Sequence, residues 1–150
     1  MAYLFAPRPS NDKLPVFFNV DGVVGAAPAQ NNREDVLLVQ FAFQLIGKTP
    51  QANTTPALLA ASKAVKVTGQ IDAQTIQAIA AIQQQNPPSI VDGRVSPAKM
   101  GYDYGTGVFT IVLLNRSVRN RHTDNWPRID KIAGCPAELK EMVIRSVVGR

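Results

Sequence analysis

Residues 69–83 read GQIDAQTIQAIAAIQ, and they decide the fold. Asp72 is a strong helix N-cap, because a short carboxylate accepts hydrogen bonds from the first unpaired backbone N–H groups. Behind it Ile76, Ile79, Ala80 and Ile82 recur on one face at helical spacing, and Pro87-Pro88 blocks continuation beyond Asn86. A helix is predicted between the two signals. Upstream, Val36, Val39, Phe43 and Ile46 follow the same period, widened by Leu38, Phe41 and Leu45. Arg33-Glu34-Asp35 puts acidic residues at the positive end of this helix, and Gly47 offers a C-cap. Between the two, Pro56 at a first-turn position precedes a short alanine-rich helix over Ala57 to Val65.

The two long helices repeat a layout. Gly25 with a spacer leads to Asp35-Val36-Leu37-Leu38-Val39-Gln40, and Gly69-Gln70-Ile71-Asp72 leads to Thr75 and on to Gln83. In each, a glycine loop precedes a helix whose apolar positions run to a glutamine. The flanks are less periodic. Residues 1–15 read as an arm with no assigned element, and Leu14 to Val24 surrounds the turn pair Asp21-Gly22 with β-branched and aromatic residues that suit a short extended piece or hairpin. Gly101 to Gly107 is a glycine-tyrosine loop. The next stretch mixes strand and helix signals, and a helix is expected over about Thr106 to Arg119. A last helix is expected from Pro136 through Leu139, Met142, Val143 and Val147.

The expected architecture is therefore all-α. Its domain plan is an extended N-terminal arm (1–15), a compact three-helix core (16–100) and a C-terminal extension with additional helices packed on that core (101–150).

With 150 residues, 45% hydrophobic and 18% charged, the chain has material for one core. No apolar run is long enough to cross a bilayer, and no secretory signal is visible at the N-terminus, so cytoplasmic synthesis with delivery by another route is expected. Cys135 is the single cysteine and His122 the single histidine, which excludes an intrachain disulfide and a conventional zinc cage. No metal or cofactor is expected. The net charge of +5 suits an anionic partner: nucleic acid, lipid headgroup or cell-wall polymer.

The order Val36 to Gln40, then Gly69 to Asp72, then Thr75, Ala78, Ile79, Ile82 and Gln83 resembles the peptidoglycan-binding family of bacterial cell-wall proteins. That family pairs a V-x-x-x-Q helix with a glycine turn and a T-x-x-A-[IV]-x-x-[FI]-Q helix. The resemblance covers about Val24 to Pro97. It departs from the family where Thr68-Gly69-Gln70-Ile71-Asp72 stands for D-G-x-[FV]-G, while an intact Val91-Asp92-Gly93-Arg94-Val95 follows the helix. The resemblance implies a three-helix fold holding muramyl peptide or glycan in a shallow groove, usually to deliver an attached hydrolase. No attached hydrolase is encoded here, so a lone module could act as an anchor, as a subunit of a larger assembly, or as an adaptor whose partner protein carries hydrolase or secretion function.

Candidate ligand residues follow. Gln40 and Gln83 could hydrogen-bond a peptide or sugar through their carboxamides, or satisfy loop backbone inside the fold. Asp92 and Gly93, with Gly69, could shape a groove rim or simply form turns. Tyr102 and Tyr104, flanking Asp103, could stack on sugars or pack on the core. Arg116, Arg119, Arg121, Arg128 and Lys131 surround Trp126 and outnumber Asp124 and Asp130, which suits a phosphate backbone, an anionic wall polymer or a solvated face.

Catalysis is not expected. Cys135 and His122 lie in no nucleophile motif, and Glu34, Asp72, Asp92 and Asp103 mostly have capping or turn roles. The leading expectation is a non-catalytic wall-binding module. A structural or adaptor subunit of a bacterial or phage assembly that keeps the fold without wall binding is the alternative, and nucleic-acid binding through 116–131 comes third.

Overall fold

The computed structural model of the chain describes residues 2–7, 14–99, 101–104 and 107–148. The elements run β1 (Tyr3–Phe5), β2 (Phe17–Asn19), β3 (Val24–Gly25), α1 (Arg33–Lys48), α2 (Pro56–Ala64), α3 (Ala73–Gln85), β4 (Arg94–Val95), β5 (Asp103–Tyr104), β6 (Gly107–Val108), α4 (Thr110–Arg121) and α5 (Ala137–Val143). A 3-10 turn at Ile129–Lys131 precedes α5, and α5 widens into a π-type coil over Ile144–Val148.

α1 is the central rod. Every residue from Asp35 to Phe43 is buried, so the helix is covered on all sides by its neighbours α2, α4 and α5. α2 packs against both α1 and α3. Thr55 caps α2 by accepting from the Leu58 N–H, and Asp72 caps α3 by accepting from the Thr75 N–H at 2.8 Å. In α3 the buried face is Ala78, Ile79 and Ile82, with Ile76 and Ala80 only half covered. Gly47 is not a cap: α1 runs on to Lys48, and a Cβ on Gly47 would lie 3.3 Å from the Lys63 backbone nitrogen, so the missing side chain admits α2.

The all-α expectation is overturned. The fold is mixed: among the described residues 47% are helical and 11% strand, with three small antiparallel sheets. β1 pairs β2 with Leu4 opposite Phe18, β3 pairs β4 with Val24 opposite Val95, and β5 pairs β6 with Tyr104 opposite Gly107. Strands of two or three residues are too short for period-two alternation to register in sequence, and the β3–β4 sheet joins segments with α1, α2 and α3 between them. Thus the arm expected to lack structure carries β1. Leu14 to Val24 forms no hairpin on Asp21-Gly22: β2 turns back to the arm, while β3 reaches forward to β4.

In the C-terminal part, the expected helix start at Thr106 lies outside the described residues, and α4 begins at Thr110, after β6. The helix expected from Pro136 holds α-form only to Val143. Two buried asparagines tie these parts together. Asn115 on α4 accepts from the Phe18 N–H (2.8 Å) and donates to the Phe18 carbonyl (2.9 Å), acting as one more rung beside β2. Asn19 does the same for Ala98, accepting and donating at 3.0 Å. The hydrophobic cluster accordingly runs without a break from Ala2 through Val143.

Candidate functional site

Two glutamines, each on a helix, hold the glycine turn that follows them. Gln40 is fully buried; its Oε1 accepts from the Thr68 and Gly69 N–H groups, both at 2.9 Å. Its Nε2 donates to the Gln70 carbonyl at 2.9 Å and to the Thr75 hydroxyl at 3.2 Å. Gln83 repeats the arrangement. Its Oε1 accepts from Asp92 N–H (3.1 Å) and Gly93 N–H (3.0 Å), and its Nε2 donates to the Arg94 carbonyl (2.9 Å) and the Thr110 hydroxyl (3.0 Å). In both, the turn glycine has positive φ, +81° at Gly69 and +69° at Gly93, and the threonine starts the next helix. A carboxamide suits this task because it accepts and donates at once. A third turn uses a simpler version, with Asp35 accepting from the Asp21 and Gly22 N–H groups at 3.2 and 3.0 Å.

The glutamines are therefore turned inward, on backbone, and the surface they support is where ligand contact is available. Over the Gly69 turn lies Arg33, which donates to the Thr68 carbonyl (3.0 Å) and pairs with Glu138 at 2.8 Å. Gly69 is buried under that pair, while Thr68 and Gln70 on either side of it stay exposed. Beside the Gly93 turn there is a cleft of about 170 Å³, lined by Ile90, Asp92, Arg94, Ser96, Tyr104 and Phe109 above Gln83 and Thr110. It has room for about five waters, hence for one sugar or amino-acid unit of a longer polymer.

The cleft walls are braced from behind. The Tyr104 ring meets Phe109 edge-on at 5.1 Å, and its hydroxyl accepts from the Ile90 N–H at 2.8 Å, joining the β5–β6 hairpin to the turn after α3. Gly107 lies under that ring, where a Cβ would be 2.7 Å from it. Asp92 Oδ1 accepts from the Arg94 N–H (2.9 Å) and from Gln83 (3.0 Å), while Oδ2 has no hydrogen-bond partner among the described residues. Arg94 is held by donating to the Ala26 carbonyl at 3.0 Å and to the Ala27 carbonyl.

Asp92, Gly93 and Tyr104 thus come together, with Gln83 beneath them. Tyr102 does not line this cleft: its ring packs on Phe17 at 5.6 Å and its hydroxyl donates to the Leu14 carbonyl. Asp103 is exposed on β5 and does not line the cleft. Arg94, Ser96, Ile90 and Phe109 were not singled out from sequence, although Ile90-Val91 beside the Asp92-Gly93 turn is an apolar pair where a solvated loop would be polar.

The basic residues disperse. Arg128 is committed to Asp130 at 2.7 Å, an interaction that raises the arginine pKa and lowers that of the carboxyl. Arg119 donates to Asn120, Arg121 turns toward the end of α1, and Lys131 is exposed. Trp126 meets Phe18 edge-on at 5.6 Å, and its indole Nε1 is buried without a partner among the described residues. Burial, with the neighbouring Arg121 charge second, lowers the His122 pKa. Burial pushes the Cys135 thiol up to about 11, and its hydrogen bond goes to the Pro136 carbonyl at 3.7 Å. Among the described residues no three His, Cys, Asp or Glu side chains gather where they could hold a metal, and no helix is long and apolar enough to cross a membrane. No protein-family model, curated protein or solved structure matches the chain.

Proposed function

We propose that the protein is a non-catalytic binding module for bacterial cell-wall peptidoglycan, with the cleft between the Asp92 turn and Tyr104 holding one unit of muramyl peptide or glycan. The observation that carries the reading is the cleft's composition: an aromatic edge from Tyr104 and Phe109 faces a carboxylate oxygen without a partner, the Arg94 side chain and the Ser96 hydroxyl. Sugars and short peptides present that pairing of apolar face and polar rim. The Gln83 clamp fixes the rim before a ligand arrives, so little ordering is left to oppose binding. A thiol held protonated at neutral pH, hydrogen-bonded to backbone and not to His122, supports the non-catalytic part.

Co-sedimentation with purified peptidoglycan sacculi tests the proposal. The wild type is expected to pellet with sacculi at moderate salt, and Asp92→Asn, which removes charge with little change of shape, to pellet about tenfold less, as for a lost charge-assisted hydrogen bond. A wild type that stays in the supernatant overturns it. An adaptor role draws support from the exposed apolar residues Ile90 and Val91, 60% and 48% accessible, and predicts a protein partner in place of sacculi. Nucleic-acid binding draws the least, because Arg128 is neutralised and Trp126 is packed against Phe18.

A further inference from the structure

A second cleft, of about 160 Å³, lies along α4 from Leu113 to Arg121, whereas the Tyr104 cleft lies at its N-terminal end, by Phe109 and Thr110. Its walls include Arg116, Arg121 and the amides of Gln51, Asn53, Gln85 and Asn86, and no acidic side chain. This separates the two arginines from Arg33, Arg128 and Arg145, each of which has a carboxylate within 3.5 Å.

Arg121 is held by neutral oxygens alone. It donates to the Thr49 carbonyl at 2.6 Å, the Ser117 carbonyl at 3.0 Å and the Thr54 hydroxyl at 3.1 Å. Those contacts close the ends of α1 and α4, whose partial negative charges absorb part of the guanidinium charge. They supply no full counter-charge, and burial lowers the Arg121 pKa. Arg116 has neither hydrogen bond nor ion pair with any described residue, although it is half-buried and lines the cleft. Gln85 has its Oε1 occupied by the Thr55 N–H at 2.9 Å, which leaves its NH₂ to donate.

We propose that this cleft is an oxyanion site, taking the carboxylate or phosphate group of a small polar ligand, with Arg116 as its principal holder and Arg121, Gln85 and Asn53 completing the donor set. A guanidinium fork matches a planar carboxylate or two phosphate oxygens. The surrounding amides offer donors where an acidic wall would repel the ligand. The site is independent of wall binding, since neither its residues nor its test involves the polymer.

NMR titration of isotope-labelled protein with inorganic phosphate, with N-acetyl-dialanine and with the C-terminal amide of that dipeptide tests the proposal. The expected result is saturable shifts of the Asn53, Gln85 and Asn86 side-chain amides with at least one of the two anions and none with the dipeptide amide. Response to phosphate alone assigns a phosphate-bearing ligand, and response to the dipeptide alone a carboxylate; either supports the site. Arg116→Gln should weaken binding about tenfold while leaving the thermal midpoint unchanged, and Arg116→Lys should restore most of the affinity. No saturable shift with either anion, equal shifts with the dipeptide amide, or undiminished binding in Arg116→Gln overturns the proposal.

Discussion

The Gln40 and Gln83 clamps are built alike and differ only in what lies over them. Each has a carboxamide under a glycine turn, a carbonyl one residue on, and a threonine at the head of the next helix. Over the first lie Arg33 and Glu138, and over the second the cleft edged by Tyr104 and Phe109. The clamp is therefore a folding device used twice, and only the second copy has a cleft beside its turn among the described residues. Gln40 and Gln83 look equally suited to a ligand in sequence, but in the fold both carboxamides are spent on backbone and threonine hydroxyls, and the second holds the turn beside the cleft.

Six substitutions would break or sharpen that contrast. Gly25→Ala is expected to have the largest effect. Gly25 has φ +130° and its Cβ would lie 2.1 Å from the Gly93 carbonyl, so backbone strain and overpacking together cost about 4 kcal/mol. The damage should fall on the β3–β4 pair and the second clamp, with hydrogen exchange accelerated at Gly93 and Arg94 before Gly69. Next are Gln40→Leu and Gln83→Leu, each leaving two backbone N–H groups without their acceptor and costing about 3 kcal/mol in urea unfolding. The contrast predicts that only Gln83→Leu also lowers sacculus binding measured on the folded fraction. Equal binding losses would show that the first clamp is not merely structural.

Smaller effects follow at the turn glycines and at the cover. Gly69→Ala and Gly93→Ala each force an L-residue into the left-handed region for about 1–2 kcal/mol. Gly69→Ala also displaces the flexible Arg33 side chain, which can swing away, so the two thermal shifts should be similar. Arg33→Gln is expected to change stability least, because the Arg33–Glu138 pair is exposed. If the Arg33 contact steadies the first turn, this variant should show faster amide exchange at Thr68 and Gly69.

The helices were readable because apolar residues recur at helical spacing along α1 and α3 for three or more turns, and Asp72 and Pro56 mark the starts of α3 and α2 chemically. The sheets were not, since Val24 meets Val95 only after α1, α2 and α3 have folded between them. The same reason governs the site. Asp92, Gly93 and Tyr104 carry local signals of turn chemistry and aromaticity, so they could be picked out; Arg94, Ser96 and Phe109 join them only through the β3–β4 and β5–β6 pairings. Tyr102 carries the same signal as Tyr104 and faces the other way. Residues two apart share a face of a strand, but these lie on either side of the start of β5, whose two residues are too few to impose that register. Asn19 and Asn115 gave no signal at all, because a buried asparagine bridging to a distant backbone resembles any polar residue until the chain is folded.

The central claim is that the clamp beside the cleft binds and the one under the Arg33–Glu138 pair does not. Backbone NMR titration with a muramyl dipeptide tests it most directly. The account predicts saturable shifts at Gly93, Arg94, Ser96 and Tyr104, with Thr68 and Gly69 unmoved; shifts at neither turn, or equal shifts at both, would contradict it.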